Sequence, residues 1–343
     1  MMRRFALLAV SFFSACCIMT GGWLDPGASA QEKTIVWNIP HTAAPSYYHI
    51  TDLKLFADKV KEKSKGRMEI RVHPASSLYP QNEQIPAVVD GRVEIAPILS
   101  GYMVDMFLEM AVLDLPFMTG SLDEARAAAE KLRPYYVERL AKRDILLLAI
   151  GTWPTQQLFS TKKPFAKVED WKGTKIRVYG HETAELTKAL GGAPVNIPFG
   201  EVYTALQRNV ADGAITSATN AEPMKFFEVT KYINYWNIQG AGVEFLGCNK
   251  KALNALPQDL QKVVLDSVKE SRFEDKEWED AKAFDAKAKT RCAELGMTVV
   301  DVPQAEIEKA RKMVKPAWDA WLKRTGPEGA RALDLALKAL GRQ

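Results

Sequence analysis

The chain has 343 residues, which is enough for two domains that each bury a hydrophobic core. Its 47% hydrophobic and 26% charged residues are typical of a soluble globular protein. The formal net charge is +4, from 46 basic and 42 acidic side chains, and this balance argues against the concentrated basic surface of a nucleic-acid-binding protein.

The N-terminal residues 1–30 predict a signal peptide that is cleaved after Ala30. "MMRR" is a short positive segment, "FALLAVSFF" is apolar, and "ASA" at 28–30 supplies the small residues that a signal peptidase requires. A membrane anchor is disfavoured because "GGWLDPG" interrupts the apolar run before the roughly 20 residues that a span needs. A lipoprotein is the other alternative, because "FSAC", which ends at Cys16, resembles a lipidation site. We therefore expect an exported, periplasmic protein.

Cysteines are sparse after this leader. Only Cys248 and Cys292 remain, so the sequence does not indicate a disulfide framework. An oxidising compartment permits one bridge between them. Two separate buried thiols are the expectation, and the pairing stays open.

After the leader the sequence predicts a strand, a helix and a second strand. "TIVWNIP" is an apolar strand candidate, and the helix that follows has apolar residues at three- and four-residue spacing: Ile50, Leu53, Phe56, Ala57 and Val60. Lys65-Gly66 ends this helix, and "RMEIRVHP" begins the second strand, so the segment is a βαβ unit with parallel strands. "NEQIPAVVDG" then predicts a short helix, and "RVEIAPI" predicts a further strand.

The middle of the chain repeats part of this pattern. "KGTKIRVYG" at 172–180 is similar to "KGRMEIRVHP" at 65–74, and "EVYTALQRNVADGAIT" at 201–216 is similar to "EQIPAVVDGRVEIAPI" at 83–98. Two similar α/β units predict two lobes that face each other. The alternative is chance similarity, since Lys-Gly and Asp-Gly breakers are common.

The C-terminal third is predicted to be helical. Residues 257–295 contain no proline or glycine after the first position, and one continuous helix of this length would extend about 55 Å. We interpret it as a helix that crosses both lobes, with two helices separated by a break as the alternative. A strand at 297–302 and two more helices close the chain, and Trp318 and Trp321 are assigned to packing.

The sequence contains no recognisable catalytic motif. G-x-S-x-G, a Walker loop and a G-x-G-x-x-G after a strand are all missing from it. "HETAE", which begins at His181, lacks the second histidine of a zinc helix, and no Cys–His group has metal spacing. We therefore expect neither an enzyme, nor a cofactor, nor a metal.

One long stretch carries a family resemblance. Residues 171–213 read "WKGTKIRVYGHETAELTKALGGAPVNIPFGEVYTALQRNVADG", and "SSLYPQNEQIPAVVDGRVEIAPI" and "AVLDLPFMTGSLDEA" precede it in order. These motifs resemble the extracytoplasmic solute-binding proteins of tripartite ATP-independent periplasmic (TRAP) transporters. The resemblance implies an α/β, two-lobed periplasmic binding protein with a ligand cleft between the lobes and a long helix spanning both. It also implies that the protein captures an organic acid and delivers it to an ion-gradient-driven membrane permease.

The predicted lobes alternate along the chain. Lobe I comprises residues 31–152 and about 243–280, and lobe II comprises 153–242 and about 281–343. Lobes of this kind close around their ligand by a hinge motion.

The resemblance changes the interpretation of Arg177. In "KIRVY" the residues alternate, so Ile176 and Val178 would face the core while Arg177 would be a solvated surface charge. The family's signature residue at this position grips the ligand carboxylate, which implies that role for Arg177. A guanidinium presents a planar fork of donors that matches two carboxylate oxygens.

Two departures from the family pattern bear on the ligand. Many relatives have a second basic residue where this chain has Gln156, and an asparagine where it has Thr216. Both replacements are polar but uncharged, so we expect a ligand with one carboxylate. Phe199 matches the family's cleft-lining aromatic residue in "PF".

Aromatic residues are candidates for the remaining walls of the binding site. Trp153, Tyr179 and Tyr47 (or its neighbour Tyr48) could form an aromatic wall, which favours an aromatic or branched monocarboxylate. The alternative is that Trp153 and Tyr47 only pack at the hinge and in the first loop. Ser100 ends a predicted strand, where ligands of α/β proteins bind.

Three other functions stay open at this point. The chain could serve an ATP-driven importer, but the single long helix argues against it. It could be an exported enzyme on a two-lobed scaffold, although the sequence offers no general base or nucleophile. It could also bind a solute in order to signal to a kinase.

Overall fold

The structure, a computed structural model, describes residues 33–102 and 106–342. The predicted signal peptide, its cleavage after Ala30 and the alternative lipidation at Cys16 lie outside the described residues. Among the helices of the described part, none is long and apolar enough to cross a membrane.

The first lobe begins with the βαβ unit that the sequence predicts. β1 (Ile35–Pro40) and β2 (Met68–His73) pair in parallel along their whole length, and α1 (Tyr48–Lys63) connects them. Just after α1, Lys65 and Gly66 have φ of 54° and 79°. This left-handed conformation ends the helix, and glycine adopts it without a steric penalty.

The first lobe continues with two more helices and two more strands before the chain enters the second lobe. α2 (Gln81–Val89) and β3 (Ile95–Leu99) confirm the predicted short helix and strand. α3 (Leu122–Ala141) and β4 (Ile145–Trp153) follow. The side chain of Ser121 caps the N-terminus of α3, because it accepts a hydrogen bond from the backbone amide of Glu124, the third residue of the helix.

The second lobe and the C-terminal part supply the remaining elements. The second lobe contains β5 (Gln156–Ser160), β6 (Lys175–Val178), α4 (His181–Ala189), β7 (Ala193–Asn196), α5 (Val202–Gln207), β8 (Gly213–Ser217) and β9 (Tyr232–Gln239). The later elements are β10 (Gly242–Asn249), α6 (Lys250–Asn254), α7 (Gln258–Glu270), α8 (Phe273–Glu294), β11 (Thr298–Asp301), α9 (Gln304–Met313) and α10 (Lys315–Ala339).

Each lobe is organised around one larger sheet. The first lobe has the order β3–β10–β4, with the β1–β2 pair beside β3, and the second has the order β11–β9–β5–β8–β6–β7. Apolar side chains lie on both faces of each sheet. Consecutive residues of a strand point to opposite faces, and Phe245 and its neighbour Leu246 in β10 belong to different hydrophobic cores. Leu158 and Phe159 of β5 do the same in the second lobe.

The internal repeat is present, but one strand of it was assigned incorrectly. In the first lobe β1 contacts both β2 and β3, and in the second lobe β6 pairs with both β7 and β8. The topological equivalent of β6 is therefore β1, whereas the sequence comparison aligned it with β2. The second half of the comparison is confirmed, since α2–β3 and α5–β8 occupy equivalent places.

Two neighbouring strands run from one lobe into the other. β4 continues through Pro154 and Thr155 into β5, and β9 continues through Gly240 and Ala241 into β10. β4 pairs antiparallel with β10, and β5 pairs antiparallel with β9. A Cβ atom on Gly240 would lie 2.7 Å from the Thr119 hydroxyl, so this crossing requires glycine.

The single helix predicted over 257–295 is wrong, and the alternative with a break is confirmed. α7 and α8 are separated at Ser271 and Arg272, and Arg272 has a left-handed φ of 53°. α8 alone would extend about 33 Å from its 22 residues. It packs Trp278 into the first lobe and Cys292 into the second, so it is the helix that spans both lobes.

The last helix differs from the predicted lobe boundary. α10 contributes Trp321, Ala332 and Ala336 to the core of the first lobe, whereas the sequence placed residues 281–343 in the second. The indole of Trp321 donates a hydrogen bond of 3.2 Å to the Leu108 carbonyl. The packing role predicted for this tryptophan is confirmed.

Cys248 and Cys292 are both free and buried, as expected. Burial raises the pKa of the Cys248 thiol to about 12 and that of Cys292 to about 11. Both thiols are therefore protonated at neutral pH and behave as small apolar side chains.

Trp321→Ala should lower the free energy of unfolding by roughly 3–5 kcal/mol, because it leaves a cavity in the first lobe's core. Urea denaturation followed by circular dichroism measures this change. The control is Lys323→Ala on the exposed side of the same helix, with an expected change within about 0.5 kcal/mol. Equal effects of the two substitutions would contradict the packing of α10 described above.

Candidate functional site

A cavity lies between the lobes, next to the crossing strands. Its empty volume is about 370 Å³, and its lining residues are Leu99, Tyr102, Asp114, Trp153, Gln156, Arg177, Tyr179, Phe199, Thr216 and Gly242. Leu99, Arg177 and Thr216 lie at or near the carboxyl ends of β3, β6 and β8. Carboxyl ends of parallel strands are the usual ligand-binding edge of an α/β sheet.

Arg177 is held rigidly at one wall of this cavity. Its Nε donates to the Ile197 carbonyl at 2.9 Å, and its Nη1 donates to the Ile215 carbonyl at 3.0 Å. Its guanidinium carbon also lies 5.6 Å from the centre of the Tyr179 ring and 5.9 Å from that of Phe199. These contacts fix the plane of the guanidinium.

The charge of Arg177 has no acidic partner in the described residues. The side chain is 1% exposed, no carboxylate lies within 4.0 Å of it, and Nη2 is buried without a hydrogen bond. Burial lowers the pKa of the guanidinium, and the nearby phenols of Tyr102 and Tyr179 offset part of that shift. Arginine remains protonated even so, because its ordinary pKa is above 12.

The surface-charge interpretation of Arg177 is therefore wrong, and the reason is the coverage of the sheet. Ile176 and Val178 face one core, as the alternation predicts. The opposite face, which carries Arg177, is covered by Phe199 and its neighbours in a second core. Alternation distinguishes two faces of a strand, but it does not reveal that both are buried.

Six of the predicted site residues line the cavity together: Arg177, Gln156, Phe199, Thr216, Trp153 and Tyr179. The Gln156 amide donates to the Pro154 carbonyl at 2.6 Å. The Thr216 hydroxyl oxygen accepts a hydrogen bond of 2.9 Å from the Asn220 amide. The Tyr179 hydroxyl donates to Gln239.

The other two predicted residues, Tyr47 and Ser100, support the cavity from behind. The Tyr47 ring stacks on Trp153 with centroids 5.3 Å apart, and its hydroxyl is hydrogen-bonded to Thr219. Ser100 is hydrogen-bonded to Asp114, and its Oγ lies 2.8 Å from the Val243 carbonyl. Neither residue is among those that line the cavity.

Asp114 and Tyr102 are the lining residues of chemical interest that the sequence analysis missed. Asp114 is buried, one of its carboxyl oxygens has no hydrogen bond, and burial raises its pKa to about 8. A serine hydroxyl has one proton, so Ser100 can donate to Val243 while a protonated Asp114 donates to Ser100. Asp114 lies within the quoted "AVLDLPFMTGSLDEA", and that motif was the available signal.

The two lobes touch beside the cavity at a pair of glycines. A Cβ atom on Gly180, in lobe II, would lie 2.3 Å from the carbonyl oxygen of Gly101, in lobe I. A Cβ atom on Gly101 would lie 2.6 Å from the Tyr179 ring. Any larger residue at these positions would keep the lobes apart.

The sequence matches a described protein family over residues 39–325: "Bacterial extracellular solute-binding protein, family 7". The chain belongs to this family. The resemblance to TRAP transporter solute-binding proteins, found from the motifs around Arg177, is confirmed.

Individual members of family 7 resemble this chain over most of its length. A solute-binding protein of Albidiferax ferrireducens is 29% identical and covers 77% of this chain and 78% of its own. The C4-dicarboxylate-binding periplasmic protein of Rhodobacter capsulatus is 26% identical, and the match covers 90% of this chain and 92% of that protein.

A solved structure shows the same two-lobed α/β fold. It is an extracytoplasmic solute receptor of Bordetella pertussis that binds pyroglutamic acid. It superposes with a TM-score of 0.82 at 26% sequence identity, over 88% of this chain and 99% of the other. The predicted fold class is confirmed, and family 7 consists of transport proteins rather than enzymes.

Asp114→Asn should flatten part of the dependence of stability on pH. The native pKa of Asp114 is about 8 and its ordinary value is 3.8, so the unfolded chain releases this proton at lower pH. The stability that Asp114 contributes is therefore present below about pH 4 and is lost as the pH rises to about 8. The wild-type slope should exceed that of the variant by up to about 1.4 kcal/mol per pH unit between these pH values.

Urea denaturation at a series of pH values measures both slopes. Asp58→Asn, at an exposed position of α1, is the control and should keep the wild-type slope. Identical slopes for wild type and Asp114→Asn would show that Asp114 ionises normally in the folded protein.

Proposed function

We propose that this chain is the periplasmic receptor of a TRAP transporter and that it captures a small monocarboxylic acid through Arg177. The observation that carries the proposal is the buried guanidinium with a free Nη2 and no acidic partner among the described residues. The receptor then delivers the acid to the ion-gradient-driven permease subunits in the membrane.

A carboxylate ligand supplies what Arg177 lacks. A buried charge is unfavourable unless it is paired and hydrogen-bonded. The carbonyls of Ile197 and Ile215 accept two of its hydrogen bonds but carry no net charge. A carboxylate in the cavity would neutralise the guanidinium and accept a hydrogen bond from Nη2. A neutral ligand could accept that hydrogen bond but would leave the charge unpaired.

The other lining residues favour a single carboxylate. Among the described residues that line the cavity, Arg177 is the one Arg or Lys, and Gln156 and Thr216 are uncharged. Asp114 would repel a second carboxylate when ionised. When protonated, it donates its one proton to Ser100, and its other oxygen, which has no hydrogen bond, is an acceptor that suits an amide N–H or hydroxyl group on the ligand.

The body of the ligand is expected to be compact and apolar, with an aromatic or branched shape. Trp153, Phe199 and Leu99 are apolar parts of the cavity wall, and ligand pockets are lined mainly by side chains of this kind with a few polar groups. The Bordetella pertussis receptor, which binds pyroglutamic acid, supports a monocarboxylate with an amide. The Rhodobacter capsulatus protein is named for C4-dicarboxylates, so ligand class varies within the family.

Export and binding without catalysis complete the proposal. Family 7 is described as extracellular, which supports the predicted signal peptide at residues 1–30. The sequence also lacks a catalytic motif in the segments that form the cavity. A receptor needs only to bind, enclose and release its ligand, and the cavity between two lobes suits that cycle.

Arg177→Ala should weaken acid binding at least roughly 30-fold, because truncating one partner of a buried charge pair removes 2 kcal/mol or more. The first measurement is a thermal-shift screen against aliphatic, aromatic and hydroxylated mono- and dicarboxylates. An acid at about 100 times its dissociation constant adds roughly 2.7 kcal/mol, a shift of several degrees. Calorimetric titration then gives the affinities.

Two variants control this experiment. Arg177→Lys keeps the charge but loses the planar fork, so its affinity should be intermediate. Arg139→Ala removes a partly buried arginine that pairs with Glu109 away from the cavity, so its affinity should equal that of the wild type. Stabilisation by neutral sugars but by no acid, or equal binding by Arg177→Ala, would overturn the proposal.

Gly180→Ala should weaken acid binding more than about 10-fold while the protein stays folded, because the new methyl group blocks the contact with Gly101. Small-angle scattering should show a compaction of the wild type on addition of acid and none of the variant. Gly200→Ala is the matched control, since a Cβ atom there meets nothing within 4 Å. Wild-type affinity in Gly180→Ala would show that this contact is not needed for binding.

A further inference from the structure

Trp153, which lines the cavity, is anchored on its other side by a buried series of hydrogen bonds. The series runs from the backbone amide of Ala43 through His41 and Glu244 to the indole. His41 follows β1, Glu244 belongs to β10, and Trp153 ends β4. All three side chains are buried. In the described part of the chain, His41 and Glu244 lie outside the set of residues that lines the cavity, so the series lies behind the cavity wall.

The direction of each hydrogen bond in this series is fixed. The Ala43 amide donates to Nδ1 of His41 at 2.9 Å, so the imidazole carries its proton on Nε2. Nε2 therefore donates to one oxygen of Glu244, at 3.2 Å. The indole of Trp153 can only donate, and it donates to the other oxygen of Glu244 at 2.8 Å. Glu244 thus accepts one hydrogen bond on each oxygen.

Two donors that converge on one side chain require a carboxylate between them. An ionised carboxylate accepts at both oxygens, whereas the amide of a glutamine accepts at one end and donates at the other. The donating end would face either the imidazole or the indole N–H, and one hydrogen bond would be lost. Burial raises the pKa of Glu244, but the contacts with His41 and Trp153 lower it by more, to about 2, so the carboxyl group is ionised at neutral pH.

We propose that Glu244 is a positioning residue of the ligand site, because it holds Trp153 in the orientation that turns the indole N–H away from the cavity. This inference rests on the proposed function, since it takes the cavity as the site of the ligand. The torsion about the Cβ–Cγ bond of a tryptophan has broad, roughly two-fold preferences, so the ring can present either edge. The acceptor behind the wall selects between the two edges.

Ring packing alone would not make this selection. The Trp153 ring stacks on Tyr47 with centroids 5.3 Å apart, and it lies edge to face with Phe199 at 6.0 Å. These contacts are made by a flat apolar ring, and a flipped indole offers nearly the same surface. A flipped ring would leave its own N–H and one oxygen of Glu244 without a partner, and unpaired buried polar groups are unfavourable.

The orientation decides what this part of the wall offers to a ligand. With its N–H bonded to Glu244, Trp153 contributes ring carbons to the cavity and no donor. The part of the acid that lies against Trp153 is then best apolar, since an oxygen there would lose its hydrogen bonds to water. Glu244 therefore acts on the choice of ligand without touching it.

The first experiment follows the indole N–H resonance of Trp153 in protein labelled with ¹⁵N at tryptophan, without any ligand. Trp153→Phe identifies the resonance, because its signal disappears. In the wild type the resonance should lie downfield, as for a hydrogen bond to a carboxylate, and in Glu244→Met it should move upfield because the acceptor is gone. Glu138→Met, at an exposed glutamate that pairs with Arg331, is the matched control and should leave the resonance in place.

Affinity then tests whether Glu244 acts through Trp153. The probe is the carboxylic acid with the largest thermal shift in the screen described above. Glu244→Met should weaken its binding about 10-fold in the wild type, which corresponds to about 1.4 kcal/mol, the strength of one hydrogen bond. In the Trp153→Phe background, which has no N–H to position, the same substitution should weaken binding less than about threefold.

Glu244→Gln is a milder second variant, for use if Glu244→Met does not fold. Its amide can accept from only one of the two donors, so it should lower the melting temperature of the wild type by a few degrees. In the Trp153→Phe background one of the donors is gone, and the same substitution should lower the melting temperature less. Equal shifts in the two backgrounds would contradict the proposal.

The same indole resonance of Trp153 in the wild type and in Glu244→Met would overturn the proposal, because no hydrogen bond would then orient the ring. An equal loss of affinity in both backgrounds would overturn it as well, since Glu244 would then act through the fold and not through Trp153. If no acid binds to the wild type, the proposed function fails, and the resonance still decides the role of Glu244.

Discussion

The central constraint in this structure is a positive charge placed inside a sheet that is covered on both faces. Arg177 lies on β6 between two cores, and the carbonyls of Ile197 and Ile215 hold two of its nitrogens in place. A cation in such surroundings is tolerated only where a counter-charge can reach it. The open side of the guanidinium faces the cavity between the lobes. In the proposed function, the two lobes, the crossing strands and the glycine contact bring an anion to this point and enclose it.

Local sequence patterns predicted many of the helices and strands. The errors concern the break in a helix and the order of strands in a sheet, which such patterns do not determine. The βαβ unit, α2 and β3 have clear periodicity and Gly-containing ends. The break between α7 and α8 falls at Arg272, which adopts a left-handed conformation that its residue type does not signal. The repeat was misaligned because a Lys-Gly pair precedes both β2 and β6, and strand order in a sheet is decided by tertiary pairing.

The candidate site shows the same division between local and distant information. Alternation placed Arg177 on the polar face of a strand, and only the family resemblance indicated the cavity. Asp114 was not selected, since it lies in a 3-10 helix with no periodicity to suggest its direction. His41, which follows β1, lies within hydrogen-bonding distance of Glu244 because β10 returns to the first lobe beside β3. No sequence spacing encodes that return, and the same holds for the position of Trp153, which lies against His41 and lines the cavity.

The position of α10 in the first lobe has a consequence for the order of folding. The core that contains Ile50 of α1 also contains Ala332 and Ala336, which are close to the C-terminus. That core cannot be completed until nearly the whole chain has been synthesised, although domains usually fold from the N-terminus as they emerge. Contacts so distant in sequence also slow folding. A chain of this kind therefore completes its folding after synthesis rather than during it, and the N-terminal elements of the first lobe wait for α10 to cover them.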